Sequence, residues 1–267
     1  MLALQLGLDL LGLALLASIS LASYRYRATD TGGTLAAFIM GAVVGLTAGW
    51  TWVVYLILFF AVATLATRFR YSFKSKLNAA EEKGGARGAK NVLANGSLAS
   101  LFAFLYWIFR DPLLEVLFVA SIASSLSDTL ATEIGLLSKN KPHYIANPFL
   151  EVEPGRSGGI TLLGLFAELI GSVVFGILAY LMGIIEFRYV IVTVIAGMLG
   201  SNIDSLLGAT LQGYYICQVC GQKTEKSVHC SEKARRVKGL SWIGNNAVNI
   251  LSASFAAFVA LALQLAL

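Results

Sequence analysis

The chain of 267 residues is 57% hydrophobic and 13% charged, with a mean hydropathy of +0.74 and a net charge of +5. A soluble domain carries about 25% charged residues, so a water-soluble globule is excluded. Eight apolar runs of roughly 16–25 residues match the ~20 needed to cross a bilayer core. Val53–Thr67 and Ile160–Met182 are continuously apolar, which excludes the ~10-residue alternating strands of a membrane barrel. The pattern predicts an all-α, polytopic membrane protein that occupies residues 1–267 as one integral-membrane unit with no large soluble domain.

In chain order the predicted spans are Leu2–Ser23, Gly33–Gly49, Trp52–Thr67, Val92–Phe109, Leu113–Leu136, Ile160–Gly183, Tyr189–Leu211 and Trp242–Leu265. The first lacks a basic start and runs long before Arg25, so it reads as a retained span rather than a signal peptide. Lys and Arg mark the cytoplasmic side of short loops. All 20 basic residues except Arg110 and Arg188 fall on one set of alternate connections, which includes the long loops 68–91, 137–159 and 212–241. This places both termini outside and the working face in the cytoplasm of a prokaryotic inner (plasma) membrane. The positive charge is read as a topology signal with attraction to anionic lipid, and nucleic acid is not implied as a partner.

Ionisable side chains inside a bilayer cost at least ~2.5–3.5 kcal/mol, so each is a candidate for function. Asp128 and Asp204 each lie about 15 residues into their spans, ~22 Å from the outer surface at 1.5 Å per residue. Ser125-Leu-Ser-Asp128-Thr129-Leu130 and Ser201-Asn202-Ile-Asp204-Ser205-Leu206 share Ser-x-x-Asp-[Ser/Thr]-Leu, as in a parallel repeat of two hairpins. Two carboxylates flanked by hydroxyls suit Mg²⁺, which shares its oxygens with water and substrate phosphates; alternatively each Asp hydrogen-bonds a neighbouring helix. Glu133 is a further candidate ligand, and Glu168 is either a protonated core carboxyl or a supporting partner. Asn95, Asn202, Asn245, Asn246 and Asn249 cluster at the same level and, with Ser201 and Ser205, are candidate nucleotide or phosphate contacts; Asn245 and Asn249 share a helical face.

Three loops could hold phosphate or metal. Gly155-Arg156-Ser157-Gly158-Gly159 precedes the sixth span, where small residues and a helix N-terminus favour an anion and Arg156 could make a bidentate contact. The loop carrying Lys74 and Lys76 is Gly-rich and basic, fit either to fold over a nucleotide or to serve as a solvated linker. No Gly-x-x-x-x-Gly-Lys-[Ser/Thr] occurs, so a soluble nucleotide fold is unsupported. Cys217-x-x-Cys220 with His229-Cys230 supplies the four ligands of tetrahedral zinc and predicts a structural clip for the 212–241 loop. An odd cysteine count on a cytoplasmic face argues against disulfides.

Five segments carry a resemblance: Asn95-Gly96; Ser127-Asp128-Thr129-x-x-x-Glu133-Ile134-Gly135; Pro154-Gly155-x-Ser157-Gly158-Gly159-Ile160-Thr161-x-x-Gly164; Gly200-Ser201-x-x-Asp204-Ser205-Leu206-Leu207-Gly208-Ala209-Thr210-Leu211-Gln212; and Asn245-Asn246-x-Val248-Asn249. In this order they resemble the integral-membrane family that includes the plant phytyl-phosphate kinase of the vitamin E pathway. The resemblance implies phosphoryl transfer from a nucleoside triphosphate, CTP favoured, to an isoprenyl monophosphate lipid, giving the diphosphate. A CDP-lipid synthase and a cation-coupled transporter or lipid scramblase are the alternatives.

Overall fold

The computed structural model describes residues 2–266, so the two end residues of the predicted 1–267 unit lie outside the described residues. The chain forms α1 (Leu2–Arg25), α2 (Thr31–Thr47), α3 (Trp50–Arg68), the short α4 (Tyr71–Lys76), α5 (Ala89–Phe109), α6 (Pro112–Gly135), α7 (Leu162–Leu181), α8 (Val190–Thr210) and α9 (Asn245–Ala266). The eight long helices coincide with the eight predicted spans to within about three residues at each end. Among the described residues, seven of them are long and apolar enough to cross a membrane; α2, with 17 residues, is the short one and lies at the lower end of the ~17–25 range.

Helix starts follow from local chemistry. Asp30 caps α2 by accepting from Gly33 N at 2.9 Å, Asp111 caps α6 by accepting from Leu113 N at 2.9 Å with Pro112 just inside, and Thr161 caps α7 by accepting from Gly164 N at 3.0 Å. Each side-chain oxygen satisfies an amide that has no intrahelical partner.

The central helix is α6, buried along most of its length and packed on α3, α5, α7, α8 and α9. α1 is the outermost, with a largely exposed leucine surface of the kind that faces lipid. Where Gly164 meets Ala131 and Gly171 meets Leu130, α7 runs antiparallel to α6. Gly176 against Val190 and Thr193 makes α7 antiparallel to α8 as well. The paired helices α6 and α8 are therefore parallel.

Along its length the bundle divides into two chemically different halves. Near the short connections, Trp52, Tyr55, Tyr106, Phe118 and Phe175 form an aromatic cluster with ring centroids 4.4–5.9 Å apart, and Tyr55 Oη donates to the Phe175 carbonyl at 3.2 Å. Near the long connections, the core is filled by Ser, Asn, Asp and Glu.

The long connections are not bare loops. β1 (His143–Tyr144), β2 (Asn147–Glu151) and β3 (Gly159–Ile160) form an antiparallel sheet in the order β2-β1-β3. β4 (Tyr214–Ile216) pairs with β5 (Lys223–Thr224) and with β8 (Arg235–Lys238), while β6 (Val228–His229) pairs with β7 (Glu232–Lys233). These small sheets qualify the all-α expectation and form a cap over the polar half. Gly155, at φ +82, comes so close to Ala79 that a Cβ would stand 2.5 Å from that residue's own; a positive φ without a Cβ is what glycine supplies.

Candidate functional site

The site begins with a backbone approach. A Cβ on Gly200 of α8 would lie 2.2 Å from Ser124 Oγ of α6, and one on Gly197 would lie 3.0 Å from Ala123 Cβ. Small residues three apart let two membrane helices close together. Because α6 and α8 are parallel, one further turn along each from the Ser124–Gly200 contact reaches Asp128 and Asp204. That register brings the two carboxylates into one neighbourhood, and the other charged groups around Asp128 are Glu168, Arg87 and Glu133.

Asp204 is held from α9. Ser252 Oγ donates to Asp204 Oδ2 at 2.9 Å. The Asn249 amide satisfies its neighbours in one orientation: it donates to Asp204 Oδ2 at 3.3 Å and to the Asn245 carbonyl at 3.0 Å, and accepts from Asn95 Nδ2 at 3.2 Å. Asn95 Nδ2 also donates to the Asn91 carbonyl at 2.9 Å, and Asn91 Oδ1 accepts from Arg87 Nη1 at 2.8 Å. A polar chain thus runs from Arg87 through Asn91, Asn95 and Asn249 to Asp204. Asp128 differs: it is half-buried, and no donor among the described residues reaches its carboxylate.

Glu168 of α7 is fully engaged behind this pair. Its carboxylate accepts from Ser201 Oγ at 2.7 Å and from Asn202 Nδ2 at 2.8 Å, while Ser127 and Ser172 share a 2.6 Å hydrogen bond beside it. Ser201 and Asn202, expected from sequence as phosphate contacts, therefore direct their polar groups at Glu168. Of the α9 amides, Asn249 is buried in the site, Asn246 is half-buried and Asn245 is exposed. Asn95 lies in the second turn of α5 rather than at its start, so it is not a cap.

Lys74 and Glu133 pair with each other. Lys74, fully buried on α4, donates to Glu133 Oε2 at 2.6 Å and to the Ala66 and Thr67 carbonyls at 2.9 and 2.6 Å. An ammonium has three protons, and all are placed; the sequence expectation of a phosphate contact at Lys74 meets a lysine already spent on the fold. Lys76 is exposed. Removing one member of a buried pair strands the other charge, so Lys74→Met is expected to destabilise the protein by about 3–5 kcal/mol. The double variant Lys74→Met/Glu133→Leu should recover most of that loss, as read by denaturant unfolding in detergent. A single variant as stable as the parent would contradict the role of the pair.

The Gly155–Gly159 loop does not open onto the start of α7, because Gly159 joins β3 and the Thr161 side chain takes the cap. Gly158, at φ +81, instead packs on α8, where a Cβ would meet Ala209 Cβ at 2.4 Å. Arg156 lies over the rings of Tyr144 and Tyr214, at 5.0 and 5.9 Å from their centroids. Ser157 donates to Glu225, which also accepts from Gln212 Nε2 at 2.5 Å. Burial pushes the Glu225 carboxyl above its ordinary range, against the lowering effect of these two donors. Lys238 Nζ contacts Tyr144 Oη and the Ala209 carbonyl. Ser205 is half-buried on the adjoining turn of α8.

The Cys/His group is assembled on two tight turns. Cys217 to Gly221 closes with Gly221 N donating to the Cys217 carbonyl at 3.0 Å, and the β6–β7 turn places Cys230 and Ser231 at φ +53 and +64. Tetrahedral zinc, with Zn–S of about 2.3 Å and Zn–N of about 2.0–2.1 Å, separates two sulfurs by about 3.8 Å and sulfur from nitrogen by about 3.6 Å. Here Cys220 Sγ lies 3.8 Å from Cys230 Sγ and 3.6 Å from His229 Nδ1, and Cys230 Sγ lies 3.3 Å from His229 Nδ1. With Cys217, all four ligand atoms fall within 4.8 Å of one another. The donor set fits a structural metal.

Arg87, Asn91, Ser252 and Glu225 were not singled out from sequence. Asn91/Asn95 and Asn249/Ser252 are spaced four and three residues apart, the helical spacing of one polar face, and that spacing was the available signal. Glu225 carries none, since its partners are distant in the chain.

The family described as Integral membrane protein DUF92 matches residues 14–257. An uncharacterized membrane protein of Methanocaldococcus jannaschii is 34% identical over 186 residues, covering 70% of this chain and 76% of its own. Two Arabidopsis thaliana proteins are each 26% identical: Protein PGR over 266 residues, 90% of this chain and 91% of PGR, and the chloroplastic Protein VTE6 over 238 residues, 87% of this chain but 64% of VTE6. No solved structure matches.

Proposed function

The chain belongs to the DUF92 family of integral membrane proteins, and from that membership and its polar core we propose that it is a membrane-embedded isoprenyl-phosphate kinase. The observation that carries the reading is the Asp128–Asp204 pair, set in register by the Ser124–Gly200 contact and braced by Ser252 and Asn249. The motifs shared with the phytyl-phosphate kinase family fall on this core and on the cap above it.

In the proposed reaction a terminal oxygen of the prenyl monophosphate attacks the γ-phosphorus of a nucleoside triphosphate, CTP favoured. A bond forms from that oxygen to the γ-phosphorus, and the bond to the β–γ bridging oxygen breaks, its electron pair leaving on the nucleoside diphosphate. A monophosphate is already ionised, so no general base is needed, and catalysis reduces to positioning and charge stabilisation. Mg²⁺ on Asp128 and Asp204 would offset the negative charge of the phosphates when bound. Arg87 brings a cation to the Asp128 side, and Arg156 and Lys238 bring two to the cap. Glu168, through Ser201 and Asn202, fixes the α8 turn that carries Asp204. Zinc on Cys217, Cys220, His229 and Cys230 is proposed as purely structural. The concentration of Lys and Arg on this face supports a cytoplasmic orientation.

Purified protein given phytyl or geranylgeranyl monophosphate, Mg²⁺ and each nucleoside triphosphate in turn is expected to form the prenyl diphosphate and a nucleoside diphosphate. A CDP-lipid with pyrophosphate would replace this reading by nucleotidyl transfer. No turnover of any prenyl phosphate would overturn it.

A further inference from the structure

A cavity of about 110 Å³ lies between α1, α2, α3 and α5, beside the carboxylate pair rather than within it. Its walls are apolar, formed by Leu16, Ile19, Met40, Ile57, Phe60 and Val92 among others. Only one end is polar, and there Arg87, Asn91 and Asn95 line it. These are the first members of the hydrogen-bonded chain that leads to Asp204.

Arg87 is held rigidly at this end. Its backbone N donates to the Ala28 carbonyl at 2.9 Å, and its carbonyl accepts from Asp30 N at 3.1 Å, which ties it to the turn between α1 and α2. Gly33 allows this approach, since a Cβ there would stand 2.1 Å from the Arg87 carbonyl oxygen. The guanidinium donates to Asn91 Oδ1 at 2.8 Å and to Thr67 Oγ1 at 3.3 Å, whereas its buried Nε has no hydrogen-bond partner among the described residues. Buried guanidinium donors left unmatched call for an acceptor, and Arg favours phosphate oxygens because its planar fork matches them.

We infer that this cavity seats the phosphate-proximal isoprene unit of an isoprenyl monophosphate, the rest of the tail running out between the helices, with Arg87 and Asn91 gripping its phosphate and presenting it toward Asp128. The inference rests on the kinase reading for its choice of lipid. Charge complementarity supports the occupant: a small apolar cavity ends in a fixed cation, next to carboxylates that would repel the same phosphate without a cation between.

The test is photo-cross-linking of the purified full chain in lipid nanodiscs by an isoprenyl monophosphate carrying a diazirine in its phosphate-proximal isoprene unit. Label is expected on α1, α2, α3 or α5. It should fall about tenfold in Ala37→Phe and, independently, in Ile57→Trp, two variants that fill the slot, with folding checked by gel filtration and circular dichroism. Arg87→Gln should weaken the monophosphate about tenfold or more while leaving the nucleotide KM unchanged, and Arg87→Lys should recover part of the loss. Label on these helices without any turnover would keep the tail site and overturn the kinase. Turnover with label elsewhere, or with label insensitive to the filling variants, would overturn the tail site and keep the kinase. Neither label nor turnover would overturn both.

Discussion

Replacing Asp204 or Asp128 by Asn is expected to lower turnover of a prenyl phosphate by about 10²–10³-fold, the range found when one preorganised electrostatic partner of a reacting group is removed. The substitution keeps shape and deletes charge. For Asp204 it also leaves an acceptor that Ser252 can still reach at 2.9 Å, so α9 should remain docked and the loss should appear in kcat rather than in folding. Asp128 makes no such hydrogen bond among the described residues, and Asp128→Asn should fold at least as well as the parent protein. Turnover within about twofold of the parent in both variants would remove these carboxylates from the site.

The same prediction has a geometric arm. Because Gly200 lies against Ser124 with no room for a Cβ, Gly200→Ala should push α8 away from α6 and separate the two carboxylates without altering either. Overpacking of this kind costs about 1–3 kcal/mol, which a bundle of this size can carry while activity falls. Ser124→Gly in the same chain removes the two nearest atoms that the new methyl would meet, Ser124 Oγ and Cβ, leaving only Ala256 Cβ at 2.9 Å, and should restore much of the activity, the non-additivity expected of contacting residues. If Gly200→Ala is inactive and the double variant stays inactive, the contact does not set the register of the pair.

The bundle was legible in the sequence because each crossing needs a long apolar run, and Gly, Pro and Asp punctuate those runs. Asp128 and Asp204 were legible as a pair because their depth and neighbours repeat. What escaped was interaction across the chain. Lys74 in a basic, Gly-rich stretch looks like a phosphate ligand; its pairing with Glu133, 59 residues away, depends on α4 folding back beneath α6. The fourth span was expected to begin at Val92 because Lys90 and Asn91 interrupt the apolar run, yet α5 begins at Ala89 and carries Asn91 and Asn95 into the polar chain that leads to Asp204. The cap was read as loops because strands of two to five residues, mostly exposed, show no periodicity. Their order comes from distant partners and from the Cys/His group rather than from local propensity.

That dependence gives the second large expected effect. The 212–241 segment has little core of its own: Val219, Val228 and Val237 are exposed, its buried apolar side chains among the described residues are Tyr215 and Cys217, and the small cluster beside it joins Tyr144 and Val152 to Ala209 of α8. A unit this small needs another source of order, and a structural zinc would supply it, with apparent binding free energies of about 10–16 kcal/mol in isolated zinc-finger peptides. Protein purified without chelators should carry stoichiometric zinc, and Cys217→Ser should lose it. The transmembrane helices do not rest on this group, so helicity should persist, while protease cleavage between 217 and 238 should become rapid. Loss of order there would also withdraw Glu225 from Ser157 and Gln212, and Lys238 from Tyr144, uncoupling the cap from the C-terminal end of α8, so turnover should fall even though every carboxylate remains. Restoring zinc to chelator-treated parent protein, but not to Cys217→Ser, should reverse both changes. Zinc-free parent protein with a protease-resistant 217–238 segment would show that strand pairing alone holds the cap.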